Sequence, residues 1–323
     1  MGGIAVAGSL LVDKLNEISE YPKSGELTKI INTAQSVGGC VPNVAIGFKK
    51  LSPQTQVYAL GKAGNDDEGR FIRNELTMYG IDVSGINFCG EKTSFTSVMS
   101  VVGGERTFFS YAGASAQFGY DDVDFDALNA KMLHLGYFLL LDKVDGGDGV
   151  KILQEATRRG IKTSIDLVSE NSDRYQSVLP CLAYTDNVIV NEVEAGRLAM
   201  IEPKKENLRT IAQRIKSYGV RERVVIHLPD MGVCLSNNGF TVVPSYELPE
   251  GFIKGTTGAG DAFCSGALLG IYRGVPDEEI LSFASSVAAA ALSAADAVSG
   301  IKSEREIFDL CKNLKRKKGC SLI

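Results

Sequence analysis

The stretch GTTGAGDAF, from Gly255 to Phe263, places three glycines ahead of one aspartate and then continues into an apolar segment. Apolar residues recur at Phe263, Ala267 and Ile271, so the pattern predicts a helix that begins near Ala259–Asp261. A glycine-rich connection between a strand and a helix is ordinary in α/β proteins. The same arrangement also builds an anion site, and the rest of the chain decides between these two interpretations.

The chemistry of such an anion site lies in the first turn of the helix. The amides of Gly258, Ala259 and Gly260 would lie free there, and free amides at the positive end of a helix bind phosphate. Glycine lets an anion approach the backbone closely. Asp261, beside that site, would accept the proton of a hydroxyl while the amides hold phosphoryl oxygens. The alternative is ordinary capping by an acidic residue in a first turn.

Composition excludes several classes of partner. The chain has 34 basic and 39 acidic residues, a formal net charge of −5, and its body carries no long basic stripe. We therefore expect neither a nucleic-acid partner nor a membrane-surface role. There is no run of 18 apolar residues, and the opening MGGIAVAGSLLVDK lacks a basic leader and a cleavage pattern. We expect a cytoplasmic protein whose first apolar segment is a buried strand.

Cysteine and histidine usage limits the chemistry further. The seven cysteines include no CxxC pair and are odd in number, which predicts reduced, packed thiols and argues against a disulfide framework or a zinc site. Both histidines, His134 and His227, lie in apolar, strand-like runs and are expected to be structural. A His-based triad or a His-rich metal site is therefore not expected. Carboxylates, backbone amides and bound ions must supply the chemistry.

From about residue 120 onward, short apolar runs alternate with helical periods. The strand candidates are KMLHLGYFL, IKTSIDL, NVIVN and RVVIHL, and one intervening helix candidate repeats at Leu208, Ile211, Ile215 and Tyr218. This alternation predicts an α/β fold, a parallel sheet with helices on both faces, in a single domain over residues 1–323. Ligands of such sheets bind at the carboxyl ends of the strands.

Two segments break this rhythm, about residues 10–36 and 93–112. In the second, SVMSVV and RTFFSY flank Gly103–Glu105, which is a hairpin signal. We predict that the two segments form a small β-sheet that projects from the main body and serves as a lid. The alternative is an edge extension without function. Because the edges of this sheet would otherwise be open, we also expect a homodimer formed through it.

The stretch SVGGCVPN carries a second candidate site. Gly38 and Gly39 would let a small polar ligand press against the backbone before a helix that begins at Pro42. Asn43 can donate and accept hydrogen bonds. Asp13 follows the first strand and would bind two hydroxyls of a polyol. Turn chemistry is the alternative for each of these residues taken singly.

The stretch NVIVNEVEAGRL carries a third. Asn191 and Glu194 are three residues apart across a strand end and a helix start, so both face the carboxyl edge of the sheet. An amide and a carboxylate at that edge suit a hydrated magnesium ion that bridges phosphates. The alternative is a helix cap with an exposed glutamate.

In this order, the three stretches resemble the PfkB (ribokinase-like) family of carbohydrate and nucleoside kinases. GTTGAGDAF is similar to the C-terminal signature of that family, GGCVPN to its double-glycine signature, and NEVE to its NxxE magnesium motif. GNDDEGRFIRNEL and GERTFFSYAGA also resemble family segments, so the likeness covers essentially the whole chain. It implies a doubly wound α/β fold with a β-sheet lid, and transfer of the γ-phosphoryl group of ATP to a hydroxyl.

The resemblance also implies roles for individual residues. Asp261 would be the base, and Gly258, Ala259 and Gly260 would form the anion hole. The implied acceptor-binding residues are Asp13, Gly38, Gly39, Asn43 and Arg106. The implied ligands of ATP and Mg²⁺ are Asn191, Glu194, Gly232 and Thr257, with Glu194 reaching the metal through water.

The sequence departs from the family pattern at three places. Gly255 stands where members that use a monovalent cation often carry Asp, which argues against a requirement for potassium. The string DLVSE, from Asp166 to Glu170, replaces the DPNxR-like string of many sugar-acid and fructose kinases, which lowers the expectation for those substrates. Pro229 replaces a usual glycine, so the loop on the nucleotide side is expected to differ in shape.

The expected activity is that of an ATP-dependent sugar kinase. A nucleoside kinase and a non-catalytic sugar-binding regulator are the alternatives, and the lid residues Phe95, Met99, Phe108 and Tyr111 would either stack on a base or, as we favour, pack against the body. A NAD-binding protein is disfavoured because Phe263 replaces the third glycine of GxGxxG. The last four residues, from Cys320, fit a C-a-a-X pattern after a basic run. We expect that run to meet the end of a terminal helix and not to accompany prenylation.

Overall fold

Strands and helices alternate along most of the chain in the computed structural model, which describes residues 2–101 and 106–318, with Arg106 described by its backbone alone. Within these ranges the strands are β1 (Gly3–Gly8), β2 (Leu11–Ile18), β3 (Ile30–Gly38), β4 (Val57–Gly64), β5 (Asp82–Cys89), β6 (Ser94–Val101), β7 (Arg106–Tyr111), β8 (Ala130–Phe138), β9 (Lys162–Leu167), β10 (Asn187–Asn191), β11 (Arg223–His227), β12 (Met231–Ser236) and β13 (Gly239–Pro244). The helices are α1 (Cys40–Leu51), α2 (Asp67–Met78), α3 (Gly149–Arg158), α4 (Leu179–Leu182), α5 (Glu192–Ala199), α6 (Leu208–Ser217), α7 (Ala259–Arg273), α8 (Asp277–Ala291) and α9 (Glu304–Cys311).

The main sheet has the strand order β5-β4-β1-β8-β9-β10-β11-β12-β13. Neighbouring strands from β5 to β11 pair in parallel, whereas β12 and β13 add an antiparallel edge. In β1, Ile4 and Val6 pack into one apolar cluster with α1, α2, α7 and α8, and Ala5 and Ala7 pack into another with α3 to α6. Both faces are therefore covered, which explains the near-continuous apolar strands and confirms the predicted α/β class.

The strand order reverses at β1, which lies between β4 and β8. The chain continues from β1 through β4 to β5 on one side and returns through β8 to β9 on the other. In open α/β sheets the crevice at such a reversal, outside the carboxyl ends of the strands, is where ligands bind. The ends of β1 and β8 therefore mark the position of the site.

A second, four-stranded sheet has the order β3-β2-β6-β7. Its strands come from the two segments that the sequence predicted to leave the main body, and the small second sheet is confirmed. The expected hairpin turn at Gly103–Glu105 lies outside the described residues. Because β2 follows the end of β1 after only Ser9 and Leu10, this sheet stands beside the crevice. Its function as a lid stays a prediction.

The basic run near the C-terminus does not end a helix, contrary to our expectation, because α9 ends at Cys311. Arg316 lies beyond it, with its guanidinium 3.8 Å from the ring centre of Tyr246 and a 2.7 Å hydrogen bond to the carbonyl of Pro244. Stacking and hydrogen bonding therefore account for this residue. The C-a-a-X expectation at Cys320 lies outside the described residues. Among the described helices, none has the length and apolarity needed to cross a membrane.

Candidate active site

Asp261 lies in the first turn of α7, which begins at Ala259 as the sequence predicted. Gly258, the residue before the helix, has a left-handed φ of 76°, and a Cβ there would overlap the side chain of Ala297. Both facts require glycine. Asp261 itself is 7% exposed. The glycines therefore let the chain turn tightly and present one buried carboxylate at the start of a helix.

Three amides were expected to be free beside Asp261, and the structure corrects one of them. The N–H of Ala259 donates to the carbonyl of Thr256 at 3.3 Å, because the turn before the helix is tight. Among the described residues, none accepts a hydrogen bond from the backbone N–H of Gly258 or Gly260. Two orphan donors thus remain at the positive end of α7, which suits an anion.

Two hydrogen bonds hold the carboxylate of Asp261. Its Oδ2 accepts from Nδ2 of Asn43 at 2.9 Å and from the hydroxyl of Tyr137 at 3.0 Å. Burial, and then the charge of Asp166, raise its pKa to about 7 against the lowering effect of these two donors. A carboxylate with such a pKa accepts and returns a proton near neutral pH, which is what a general base requires.

Asn43 has a second polar atom in the site. Its side chain is 4% exposed, and among the described residues its Oδ1 has no hydrogen-bond partner. A buried, unsatisfied acceptor is costly unless a ligand pairs with it, so it suits a ligand hydroxyl. The helix that carries Asn43 begins at Cys40, two residues earlier than expected, and Pro42 is tolerated because it lies in the first turn.

Sequence reasoning missed Tyr137 and Asp166 as site residues. Asp166 accepts the N–H of Tyr137 at 2.6 Å and lies at the carboxyl end of β9. That position was a signal that could have identified it, since ligand sites of parallel sheets lie at such ends. Tyr137 has a left-handed φ of 61°, which is uncommon for a non-glycine residue and which no pattern in the sequence announces.

The two histidines differ in their environment. His134 is fully buried in β8, with Nδ1 2.9 Å from Oγ of Ser164, as expected of a structural residue. His227 lies at the end of β11 and lines two cavities, and its expected structural role stays a prediction. Burial lowers the pKa of His227 to about 4, so its imidazole is neutral. Its ring centre is 4.9 Å from that of Phe263.

On the side of the small sheet, Asp13 faces the crevice from β2. It pairs in register with Ser36 of β3 and Thr96 of β6, and Thr96 pairs with Ser110 of β7. Directly paired residues share one face of a sheet, so Asp13 lies among small hydroxyl side chains. Burial raises the pKa of Asp13 to about 6, and its charge contributes to the raised pKa of Asp261.

The double glycine has a structural reason that differs from the expected one. A Cβ at Gly38 would overlap the carboxylate of Asp13, and a Cβ at Gly39, whose φ is 89°, would meet the carbonyl oxygen of Ser9 at 2.7 Å. The glycines therefore let the protein's own Asp13 and β1–β2 connection approach the backbone. Whether a ligand also contacts them stays a prediction.

Asn191 and Glu194 form a capping box at the start of α5. The N–H of Glu194 donates to Oδ1 of Asn191 at 2.9 Å, and the N–H of Asn191 donates to Oε2 of Glu194 at 3.0 Å. Oε1 of Glu194 accepts from Nδ2 of Asn191 at 2.7 Å and from Ser169 at 2.8 Å. Glu194 is buried and not exposed as a simple cap would be, and burial raises its pKa to about 7.

Two adjoining cavities meet at Asn191, His227 and Gly260, which line both. The larger has a volume of about 750 Å³ and a largely apolar wall that includes Leu228, Ile253, Phe263, Ala289 and Leu292. The smaller, of about 260 Å³, has a mixed wall in which apolar residues such as Ile189 accompany the carboxylates of Asp166, Glu194 and Asp261. An apolar chamber that opens into a charged one suits a ligand with an aromatic base and a phosphate tail.

Three other expected site residues have different positions. Gly232 lies in β12, where a Cβ would meet Phe263 and Leu281, so strand packing is one reason for a glycine there, and its contact with a nucleotide stays a prediction. Pro229 does line the larger cavity. Thr257 lies half-buried in the turn before α7. Arg106 begins β7, and its side chain lies outside the described part of the chain.

The position of Gly255 bears on the expected independence from potassium. A Cβ at Gly255 would meet the carbonyl oxygens of Ala294 and Ala295 at 3.0 and 2.9 Å. A side chain is therefore poorly accommodated at this position. That the protein does without a monovalent cation stays a prediction.

The aromatic side chains of the small sheet do not form one surface. Phe95 stacks on Tyr111 at 5.3 Å, and Lys14 lies 4.5 Å above the ring of Phe95. By the strand register these residues lie on the face opposite to Asp13. Phe95 and Tyr111 therefore pack on each other within the small sheet, and the packing against the body that we favoured stays a prediction. Phe108 lies on the face of Asp13 and is 57% exposed.

Comparison with known proteins gives a consistent result. A family model described as pfkB family carbohydrate kinase matches residues 1–304. A ribokinase of Arabidopsis thaliana is 23% identical over 317 residues, covering 96% of this chain and 81% of the relative. An adenosine kinase of Saccharomyces cerevisiae is 27% identical over 279 residues, covering 82% and 80%. The solved Arabidopsis ribokinase in complex with ribose and ATP superposes with a TM-score of 0.82 at 21% identity, covering 96% of this chain and 99% of that one.

Proposed function

Because the chain belongs to the pfkB family of carbohydrate kinases, whose model matches residues 1–304, we propose that it is an ATP-dependent sugar kinase with Asp261 as its general base. Family membership makes it a phosphotransferase that acts on a hydroxyl acceptor. The observation that carries the finer proposal is the position of Asp261. This buried carboxylate, with a pKa of about 7, lies beside two orphan amides where the nucleotide-sized cavity meets the charged one.

In the proposed reaction, a sugar hydroxyl gives its proton to Asp261. Its oxygen forms a bond to the γ-phosphorus of ATP while the bond to the β-phosphate oxygen breaks and ADP leaves. The hydrogen bonds from Asn43 and Tyr137 fix the carboxylate, so little reorganisation is needed. The unpaired Oδ1 of Asn43 is placed to accept a hydrogen bond from a second hydroxyl of the acceptor.

The larger cavity is the proposed site of ATP. Its apolar wall suits the adenine ring, and Gly260, which lines both cavities, connects it to the start of α7. The N–H groups of Gly258 and Gly260 would then contact the transferred phosphoryl group, whose charge they stabilise in the transition state. The known complex of the Arabidopsis ribokinase with ribose and ATP supports this assignment by analogy of fold.

The residues around the smaller cavity fit a magnesium ion. Asp166, Glu194 and Asp261 bring three carboxylates to one cavity, and a divalent cation would offset their repulsion. Both oxygens of Glu194 already accept hydrogen bonds, so Glu194 would hold the ion through water. When bound, Mg²⁺ neutralises charge on the phosphates.

The chemistry of the small sheet favours a sugar as acceptor. Asp13 is paired in register with Ser36 and Thr96, and Thr96 is paired with Ser110. Their hydroxyl groups can donate hydrogen bonds to a polyol and accept hydrogen bonds from it. A nucleoside would need an aromatic partner for its base. The stacked Phe95 and Tyr111 lie on the opposite face and do not offer one.

One observation keeps the nucleoside alternative as a second candidate. Phe108 pairs with Val98, which is the next pair after Thr96 and Ser110 on the face of Asp13. Its side chain is exposed. Its ring would be available to stack on a base. A non-catalytic regulator is less well supported, because a binding protein needs neither a buried carboxylate with a pKa near 7 nor orphan amides for a phosphoryl group.

The test is ADP release from Mg-ATP against a panel of pentoses, hexoses, sugar acids, sugar phosphates and nucleosides, with the wild-type protein and Phe108→Ala. We expect stimulation by one sugar and little effect of Phe108→Ala. Stimulation by a nucleoside, lost in Phe108→Ala, would favour the second candidate. Binding of a sugar without any turnover would contradict the kinase proposal and favour the regulator.

A further inference from the structure

Three buried side chains with metal-binding atoms converge beneath the active site. Cys40 begins α1, His134 lies in β8 and Asp166 lies in β9, and their donor atoms all lie within 4.8 Å of one another. We propose that Cys40, His134 and Asp166 form a binding site for a soft divalent metal ion of the zinc type. The site shares Asp166 with the carboxylates of the smaller cavity, but its donor atoms come from these three side chains and do not depend on the proposed kinase reaction.

The distance between His134 and Asp166 is compatible with a tetrahedral zinc site. With bond lengths of about 2.0–2.1 Å to nitrogen and oxygen and about 2.3 Å to sulfur, tetrahedral angles put a nitrogen about 3.3 Å from an oxygen and about 3.5 Å from a sulfur. Nε2 of His134 lies 3.2 Å from Oδ2 of Asp166 and 3.6 Å from Sγ of Cys264. Cys264 neighbours His134 but lies outside this cluster of donor atoms, so a water from the cavity is the fourth ligand that we expect.

The surroundings orient the three ligands. Nδ1 of His134 lies 2.9 Å from Oγ of Ser164. When Nδ1 carries the proton and donates this hydrogen bond, the lone pair of Nε2 is free to bind the ion. The N–H of Tyr137 occupies Oδ1 of Asp166 and leaves Oδ2 toward His134. A Cβ at Gly136 would overlap Sγ of Cys40, so glycine there makes room for the thiol.

The site also has a route of entry and a favourable charge. Asp166 and Cys264 line the smaller cavity, together with Glu194 and Asp261. Among the described residues that line it, none is a lysine or arginine, so a divalent cation meets carboxylates on its way in. Thiolate and imidazole favour zinc, whereas magnesium prefers oxygen ligands. This donor set therefore separates the site from the magnesium position proposed at Glu194.

Cobalt(II) is a suitable probe, because a tetrahedral thiolate complex of cobalt has visible d–d bands and a thiolate-to-metal charge-transfer band that zinc lacks. The full chain, treated with chelator and reductant, would be titrated with Co²⁺ at mildly alkaline pH without nucleotide, since the thiol releases its proton on binding. We expect both signals to saturate at one equivalent, Zn²⁺ to displace them, and Zn²⁺ to raise the Tm.

Cys40→Ser should abolish the charge-transfer band, whereas Cys181→Ala, which removes another buried thiol, should leave it unchanged. Asp166→Asn, a second ligand variant of unchanged shape, should weaken cobalt binding by tenfold or more. Circular dichroism checks that each variant is folded. No thiolate band in the wild-type protein, or an equal band in Cys40→Ser, would overturn the proposal whatever the outcome of the kinase assays.

Discussion

The hydroxyl of Tyr137 donates a 3.0 Å hydrogen bond to Oδ2 of Asp261, the same oxygen that accepts from Asn43. The three residues come from β8, α7 and α1, which meet where the strand order of the main sheet reverses. Both donors favour the ionised carboxylate, whereas burial and Asp166 favour the protonated one. The balance keeps the pKa of Asp261 close to neutrality.

Tyr137→Phe removes one of the two donors and should raise the pKa of Asp261 further. The base works only when ionised, so activity falls as the pH falls through this pKa, and the acid limb of the kcat/KM profile should move to higher pH. At pH 7 we expect kcat to fall about tenfold, in line with a hydrogen bond to a charged group. The measurement is the pH profile of ADP release.

Tyr218→Phe is the matched control, since Tyr218 follows α6 and its hydroxyl accepts only from Arg214 among the hydrogen bonds of the described residues. Its profile should not move. If Tyr137→Phe lowered activity equally at every pH, Tyr137 would have a structural role and no effect on the base.

Stability should depend on pH through the three acids of the site. Burial raises the pKa of Asp261 and Glu194 to about 7 and that of Asp13 to about 6. An acid whose pKa is raised on folding stabilises the protein while it is protonated, and this stabilisation is lost as the pH rises through the raised pKa. The unfolded chain already loses these protons near the ordinary pKa values of 3.8 and 4.5, so the free energy of unfolding should decrease between about pH 4 and 7.

Asp261→Asn should reduce the decrease in the free energy of unfolding that accompanies rising pH. At pH 8 the variant should be more stable than the wild type by on the order of 1–4 kcal/mol, and at pH 4 the difference should be small. Urea unfolding at the two pH values measures this. A variant that is less stable than the wild type at pH 8 would show that the contacts of the ionised Asp261 carboxylate outweigh the free-energy cost of burying it.

Glu194→Gln should raise the Mg²⁺ concentration needed for half-maximal activity by about tenfold or more, because it removes the charge that would attract the hydrated ion. Glutamine is compatible with the capping box, so α5 should remain intact. Glu306→Gln, in the capping box of α9 with Ser303, makes the same local change far from the site and is the control. Equal Mg²⁺ dependence in both variants would refute the role of Glu194.

The small sheet should mediate a homodimer. Its edge strands β3 and β7 expose Ile31 and Phe109, at 55% and 56%, and open edges of this kind associate readily. We expect gel filtration to give a dimer that Ile31→Glu or Phe109→Glu converts to a monomer. Phe308→Glu, at an equally exposed position on α9, should leave the dimer intact. A monomeric wild type at working concentration would rule out this association.

The periodicity of the sequence was sufficient to predict the fold class, the small second sheet and the start of α7. These features depend on local patterns, such as buried strands or glycines before a helix. The partners of Asp261 could not be predicted in the same way. Tyr137 contacts it only because β8 and α7 converge in space, and its left-handed φ has no sequence signature.

Spacing rules could not reveal the proposed metal site for the same physical reason. Without a CxxC pair a zinc site was not expected, and the approach of Cys40, at the start of α1, to His134 of β8 and Asp166 of β9 is a contact in space that spacing along the sequence does not show. For Gly232 the motif and the structure give different kinds of information. The resemblance implied a contact with the nucleotide, which stays a prediction, and the structure adds that Gly232 lies in β12 beside Phe263.

The most direct test of the account is the turnover of Asp261→Asn beside the wild type, with the acceptor found in the panel and Mg-ATP at saturation. A general base contributes about 10²- to 10⁴-fold to the rate. We therefore predict a loss of that size in kcat, with little change in the KM of either substrate. Turnover by Asp261→Asn at the wild-type rate would show that Asp261 is not the base and would contradict the proposed mechanism.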